Sequence, residues 1–133
     1  MNWFFLIVTV FVCVIFTLQL LRSRPGIPLD EAKAALKAGT AVLVDVREPM
    51  EWHSGVAKTA ALMPLSDLRG DRTQWRAFLE KHKGKKLLLY CASGTRSGMT
   101  AASLKREGFD AVNAGSLSHW DKAGWPICSP KHR

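Results

Sequence analysis

The sequence predicts an α/β domain, a parallel sheet covered by helices on both faces, with one transmembrane helix in front of it. Three observations carry this expectation. Residues 3–21 hold no charge. Two short runs, 41–46 and 86–90, are almost wholly apolar, as strands buried on both faces are. Beyond Pro28, segments of strand and helix character alternate in strict order, the pattern of a parallel sheet.

The first element is the apolar one. Between Trp3 and Leu21 only Thr9, Thr17 and Gln19 are polar. A helix of that length approaches the ~30 Å hydrocarbon thickness of a bilayer. Trp3 at one end and Arg22 with Arg24 at the other suit its two interfaces. The 133-residue chain has too little mass elsewhere to surround a helix that is apolar all round. A cleaved signal peptide fits less well, because no Lys or Arg precedes the run and Leu18–Arg22 offers no small-x-small site. The basic residues follow the span, so the positive-inside rule places the rest of the chain in the cytoplasm. Cys13, inside the span, is read as a small apolar side chain. The expected organisation is an anchor over 1–24, a linker over 25–28, a folded domain over 29–128 and a tail over 129–133.

After Pro25, Gly26 and Pro28, the segment 30–38 reads as a helix with acids first, Lys37 late and Gly39 as its stop. Residues 41–46 follow as a strand, and 48–53 as a short helix ended by Gly55. The segment 57–63 suggests a strand closed by Pro64. Trp75, Phe78 and Leu79 recur at helical spacing within 72–83, ahead of Gly84. Residues 86–90 form a second buried strand, which runs into a loop of small residues over 91–97. A helix over 98–107, a weak strand over 111–113 and a short helix over 117–122 complete the order.

Composition narrows the class. At 47% hydrophobic and 23% charged residues the chain is not a disordered one, and three cysteines are too few for a disulfide scaffold. The net charge of +8 is spread over helix ends and turns, Lys81, Lys83, Lys85 and Lys86 among them. The default reading is a solvated basic face; beside a bilayer, attraction to anionic headgroups explains it more simply than nucleic acid does, and no nucleic-acid partner is expected. His53, His82, His119 and His132 show no metal-ligand spacing, so no metal is expected.

Cys91 stands at the carboxyl end of a buried strand, where α/β sheets place ligand sites. A loop of small residues can turn its N–H groups inward around an anion, and the next helix adds the positive end of its dipole. Those fields and the Arg96 guanidinium favour a thiolate, hence a nucleophile near neutral pH. Cys128 lies in the tail and is read as a free thiol, the alternative being a resolving partner of Cys91.

Three sets of residues resemble the rhodanese family of sulfurtransferases. They are Val44-Asp45-Val46-Arg47-Glu48 with Glu51-Trp52 and Gly55, the Cys91–Arg96 loop, and Gly115 with Trp120 and Gly124-Trp125-Pro126. The resemblance implies a rhodanese-like fold in which Cys91 takes sulfane sulfur from a small donor and carries it as a persulfide. The acceptor is then a thiol or cyanide, and no cofactor is needed beyond the covalent persulfide. By the same resemblance Ala92, Ser93, Gly94, Thr95 and Arg96 form the anion-binding loop, with Arg96 holding the loop or the donor's charge. Asp45 and Arg47 support the loop, either as a structural pair or in contact with substrate.

The chain departs from the family in two places. Gly55-Val56-Ala57-Lys58-Thr59-Ala60 stands where Gly-His-Ile-Pro-Gly-Ala is common, and Ala92 stands where many members carry a basic residue. With one fewer cation in the pocket, a polysulfide or a protein persulfide joins thiosulfate as a candidate donor. Related phosphatases place the arginine six positions after the cysteine, whereas Arg96 follows Cys91 by five, the tighter loop of sulfur transfer. A non-catalytic binding module or membrane adaptor on the same fold is the alternative from another class, and a phosphatase is the less favoured enzymatic one.

Overall fold

The computed structural model describes residues 2–132. Helix α1 (Trp3–Ser23) is long and apolar enough to cross a membrane, and none of its residues is buried in the protein. A short extended link then leads to α2 (Leu29–Ala38), which carries Asp30 and Glu31 in its first turn and Lys37 in its last, matching the helix dipole at both ends. Gly39, at φ 75°, ends α2 by turning its N–H back onto the carbonyls of Ala35 and Leu36.

The main sheet has four parallel strands in the order β3-β1-β4-β5: β1 (Ala41–Asp45), β3 (Ala61–Leu62), β4 (Lys86–Cys91) and β5 (Ala111–Ser116). Side chains alternate across β4, and both faces are covered. Leu87, Leu89 and Cys91 join Val44, Trp75, Phe78 and Leu104 on one face. Leu88 and Tyr90 join Leu43, Ala32, Ile27 and Trp120 on the other. Two-sided burial is the physical reason the strand reads as an unbroken apolar run. The helices between the strands are α3 (Pro49–Trp52), α4 (Leu65–Arg69), α5 (Thr73–Lys81), α6 (Thr95–Arg106) and α7 (Leu117–Lys122).

Several boundaries differ from the sequence reading. The segment expected as one strand over 57–63 is two, β2 (Val56–Ala57) and β3, because Thr59 adopts φ 70° between them. Strand β2 pairs antiparallel with β6 (Ile127–Cys128), a strand the sequence did not suggest, while β3 joins β1. Helix α4 was not anticipated either. It is five residues long and buries only Leu65 and Leu68, too few positions to show a period. Helix α5 ends at Lys81, ahead of Gly84, with His82 as its cap. Helix α6 begins three residues earlier than expected, and β5 runs three residues further.

The end of α1 is seated on the sheet edge and on α6. The Gly26 N–H donates to the Asn113 carbonyl of β5 at 2.8 Å. The Asn113 side chain donates in turn to the carbonyls of Arg22 and Arg24.

Candidate active site

Cys91 is the last residue of β4, a strand with neighbours on both sides, and it has no exposed surface. Only Ala92, Ser93 and Gly94 separate it from α6. Gly94 adopts φ 87°, a left-handed conformation that glycine takes without steric cost, and this turns its N–H onto the Cys91 sulfur at 3.0 Å. The Ser97 N–H donates to the same sulfur at 3.4 Å. It is one of the first-turn amides that a helix leaves without an internal partner. The cradle is therefore built from main chain, which is why the segment is made of small residues.

Burial opposes ionisation of Cys91, but hydrogen bonds from the Ser97 hydroxyl and N–H and from the Ser93 and Gly94 amides outweigh it. The thiol sits below its ordinary pKa as a result. A sulfur anion at this point is stabilised by dipoles already in place. That is the condition for a cysteine nucleophile without a neighbouring base.

Arg96 is turned toward α3. Its guanidinium donates to both carboxylate oxygens of Glu51, at 2.7 and 2.6 Å, and Glu51 holds it charged, with a smaller contribution from Cys91. The same bond lowers the Glu51 carboxyl to about 2. Glu51 is fixed by its position in α3. Pro49 starts that helix, and a reciprocal cap joins Glu48 and Glu51, with Glu51 accepting the Glu48 N–H at 2.9 Å. Glu48 also accepts from the Ser66 N–H and hydroxyl, at 2.9 and 2.7 Å, which ties α3 to α4.

Beneath α3 lies a buried charge pair. Arg47 donates to both oxygens of Asp45, to the Glu51 carbonyl at 3.2 Å and to the Gly55 carbonyl at 2.7 Å. The Tyr90 hydroxyl donates to Asp45 at 2.7 Å and accepts the Ala57 N–H at 2.9 Å. Burial first, and the Asp45 charge second, push the Tyr90 phenol well above its usual range, so it stays a donor.

The sequence-derived residues thus fall into two groups. Cys91 and Gly94 meet in the cradle, Ala92 and Ser93 are exposed beside it, and Thr95 and Arg96 form the first turn of α6. Asp45 and Arg47 are paired, and they connect to the loop through the Tyr90 hydroxyl, next to Cys91, and through Glu51 and Arg96. Sequence reasoning assigned no role to Glu51, Ser97 or Asn113. Ser97 is fully buried, with its hydroxyl 3.4 Å from the Cys91 sulfur and 2.7 Å from Asn113 Oδ1. The available signal was a polar residue, Asn113, between the apolar Val112 and Ala114. Cys128, on β6, is a free thiol.

A model of the rhodanese-like domain matches residues 28–123. An uncharacterised protein of Synechocystis, slr1261, is 34% identical over 93 residues, which are 68% of this chain and 49% of that protein. A tRNA uridine(34) hydroxylase of Enterobacter is 30% identical over 62% of this chain and 24% of its own. The chain therefore spans about half of one of these relatives and about a quarter of the other. Among solved structures, the human single-domain sulfurtransferase TSTD1 superposes with a TM-score of 0.59 at 27% identity, covering 74% of this chain and 96% of that one.

Proposed function

Because the chain belongs to the rhodanese-like domain family, we propose that it transfers sulfane sulfur through Cys91. The observation that carries this reading is the Cys91 sulfur facing the Gly94 and Ser97 amides, with its pKa held below the ordinary thiol value. The Cys91 thiolate attacks the outer sulfur of a donor, for example thiosulfate, and the donor's sulfur–sulfur bond breaks. The bonding pair leaves with sulfite, and Cys91 becomes a persulfide. A thiolate or cyanide then attacks the outer persulfide sulfur and receives it, and the Cys91 thiolate is regenerated. No electrons are gained or lost overall, so no redox cofactor enters. A polysulfide or a protein persulfide suits the first step as well, since Ala92 adds no positive charge for a dianion.

The loop residues divide the work. The amides of 92–96 stabilise the persulfide anion. Arg96, with most of its charge directed to Glu51, supports the loop, while Asp45 and Arg47 hold α3 in place beneath it. Helix α1 anchors the domain to a membrane, and the arginines after the span orient the domain toward the cytoplasm. There a reducing environment keeps Cys91 available and supplies thiol acceptors.

The test is a mass spectrum of the full-length protein, in detergent micelles, after treatment with thiosulfate or polysulfide. The Cys91 peptide should gain the mass of one sulfur atom and lose it on addition of cyanide. The Cys91→Ser protein should do neither. Sulfur transfer that survives this substitution overturns the reading, and so does a wild-type Cys91 that takes up no sulfur.

A further inference from the structure

The end of α1 and the cysteine cradle share one side chain, that of Asn113. It is buried in β5 and uses both ends of its amide. The two N–H groups of Nδ2 are shared among three carbonyls, those of Arg22 and Arg24, each at 3.1 Å, and of Gly94 at 3.0 Å. Oδ1 accepts from the Ser97 hydroxyl at 2.7 Å and from the Gly115 N–H at 3.1 Å.

Two glycines of the loop and α6 leave room for this approach. A Cβ on Gly94 would stand 2.5 Å from the Ser23 carbonyl oxygen. A Cβ on Gly98 would overlap the carbonyl oxygen of Arg22. The helix end therefore lies directly against the backbone that forms one wall of the Cys91 enclosure. Cys91 has no exposed surface, so a donor reaches its sulfur only when a wall moves.

The Ser97 hydroxyl has a single proton to give. Asn113 Oδ1 at 2.7 Å competes for it with the Cys91 sulfur at 3.4 Å, an ordinary length for a sulfur acceptor, and with the Gly115 carbonyl at 3.4 Å, which is long for an oxygen. With that proton drawn toward Asn113, the Cys91 thiolate gains less from the hydroxyl than an undivided hydrogen bond would give it.

We propose that Asn113 is a positioning residue through which the seated end of α1 restrains Cys91. Its amide nitrogen holds the Arg22, Arg24 and Gly94 carbonyls together, while its oxygen draws the Ser97 hydroxyl away from the sulfur. Lifting the helix end from Gly94 and Gly98 frees Asn113 to turn, returns the Ser97 proton to the sulfur and opens the Gly94 wall to water. Cys91 is then more readily a thiolate, so sulfur exchange responds to the state of the membrane-proximal helix. The ionisable groups beside the cradle are Arg96 of α6, Glu51 of α3 paired to it, and His119 of α7, whose ring packs against Gly115. Strand β5 and the end of α1 bring only an amide and main-chain carbonyls to this network. The functional meaning rests on the sulfur-transfer reading, but the geometry is testable without it.

The readout is the rate at which iodoacetamide alkylates Cys91 across pH, followed on the Cys91 peptide of the full-length protein in detergent micelles. Asn113→Ala should move the midpoint to lower pH by about one unit, the size of one hydrogen bond to a charged acceptor. In a Ser97→Ala background the same substitution should lose most of that shift, as a thermodynamic cycle requires of coupled groups. Gly98→Ala keeps both polar side chains and pushes on the Arg22 carbonyl. It should shift the midpoint in the same direction and hasten tryptic cleavage after Arg22. An unmoved midpoint in either Asn113→Ala or Gly98→Ala overturns the proposal, and so does an Asn113→Ala shift that persists undiminished without Ser97. If the midpoints move as expected while Cys91 takes up no sulfur, the functional reading fails and the positioning role of Asn113 stands.

Discussion

Arg96 and Glu51 are joined through both arms of the guanidinium, at 2.7 and 2.6 Å, so the first turn of α6 is fastened to α3. Each side chain is about one-third exposed, and the pair bridges two elements that are 45 residues apart. The arginine nearest the cysteine thus serves the shape of the loop before it serves any ligand.

Replacing Glu51 with Gln should reveal this bond through its pH dependence. The Glu51 carboxyl lies at about 2 in the folded protein against an ordinary 4.5. A depressed carboxylate contributes stability that is complete above the unfolded value and is lost as pH falls through the folded one. The stability difference between wild type and Glu51→Gln should be about 1 kcal/mol above pH 5, after discounting for solvent screening. It should shrink between pH 4.5 and 2. Denaturant midpoints across that range are the measurement, and a pH-independent difference would contradict the assignment.

Arg47→Met should be among the most destabilising single changes in the domain. Asp45 is fully buried and Arg47 almost so, and removing the cation strands a carboxylate in the core. Breaking such a pair costs about 3–5 kcal/mol. Tyr90→Phe removes one donor to that carboxylate and the acceptor of the Ala57 N–H, at about 1.5–3 kcal/mol. Chemical denaturation should rank the two in that order, and a Tyr90 variant less stable than the Arg47 variant would show that the phenol is the organising group.

Gly55→Ala tests the small second sheet. Gly55 adopts φ 116°, and a Cβ there would stand 2.8 Å from Ile127 Cγ2. Strain of this kind costs about 1–3 kcal/mol. The N–H of Lys58, which donates to the Pro126 carbonyl at 2.8 Å, should lose hydrogen-exchange protection before the amides of β4 do. Simultaneous loss across both sheets would instead show that the β2–β6 pair has no separate stability.

Cys91 itself should titrate early. Because the folded environment favours the thiolate, its alkylation rate should rise at lower pH than that of a free thiol such as glutathione. The direct comparison is a pH–rate profile on the Cys91 peptide. An inflection at or above the free-thiol value would mean that burial outweighs the amide cradle.

Legibility in the sequence followed physical cause. The strands β1 and β4 were readable because burial on both faces leaves an unbroken apolar run, and Cys91 was readable as the residue where that run meets small, turn-forming ones. Strands β2, β3 and β6 have two residues each and carry no period. Their existence depends on Thr59 bending the chain and on partners up to 72 residues away in sequence. The site's second layer was hidden for a related reason. Glu51 was quoted in a motif and Ser97 in a loop, but only tertiary structure places one against Arg96 and the other between Cys91 and Asn113. Nothing local to residues 22–24 indicates that their carbonyls meet a strand edge some 90 residues later.

The link between α1 and α2 is short, contains Pro25 and Pro28, and is hydrogen-bonded to β5 through Gly26. A flexible tether of five residues would let a domain wander through a radius of about 12 Å around its attachment point. A link pinned in this way removes most of that search. If α1 spans a bilayer as proposed, the domain travels only in two dimensions and presents one fixed side to whatever it meets. Encounters are then governed by lateral diffusion and by the partner's orientation, which favours a partner that is itself held at the same surface.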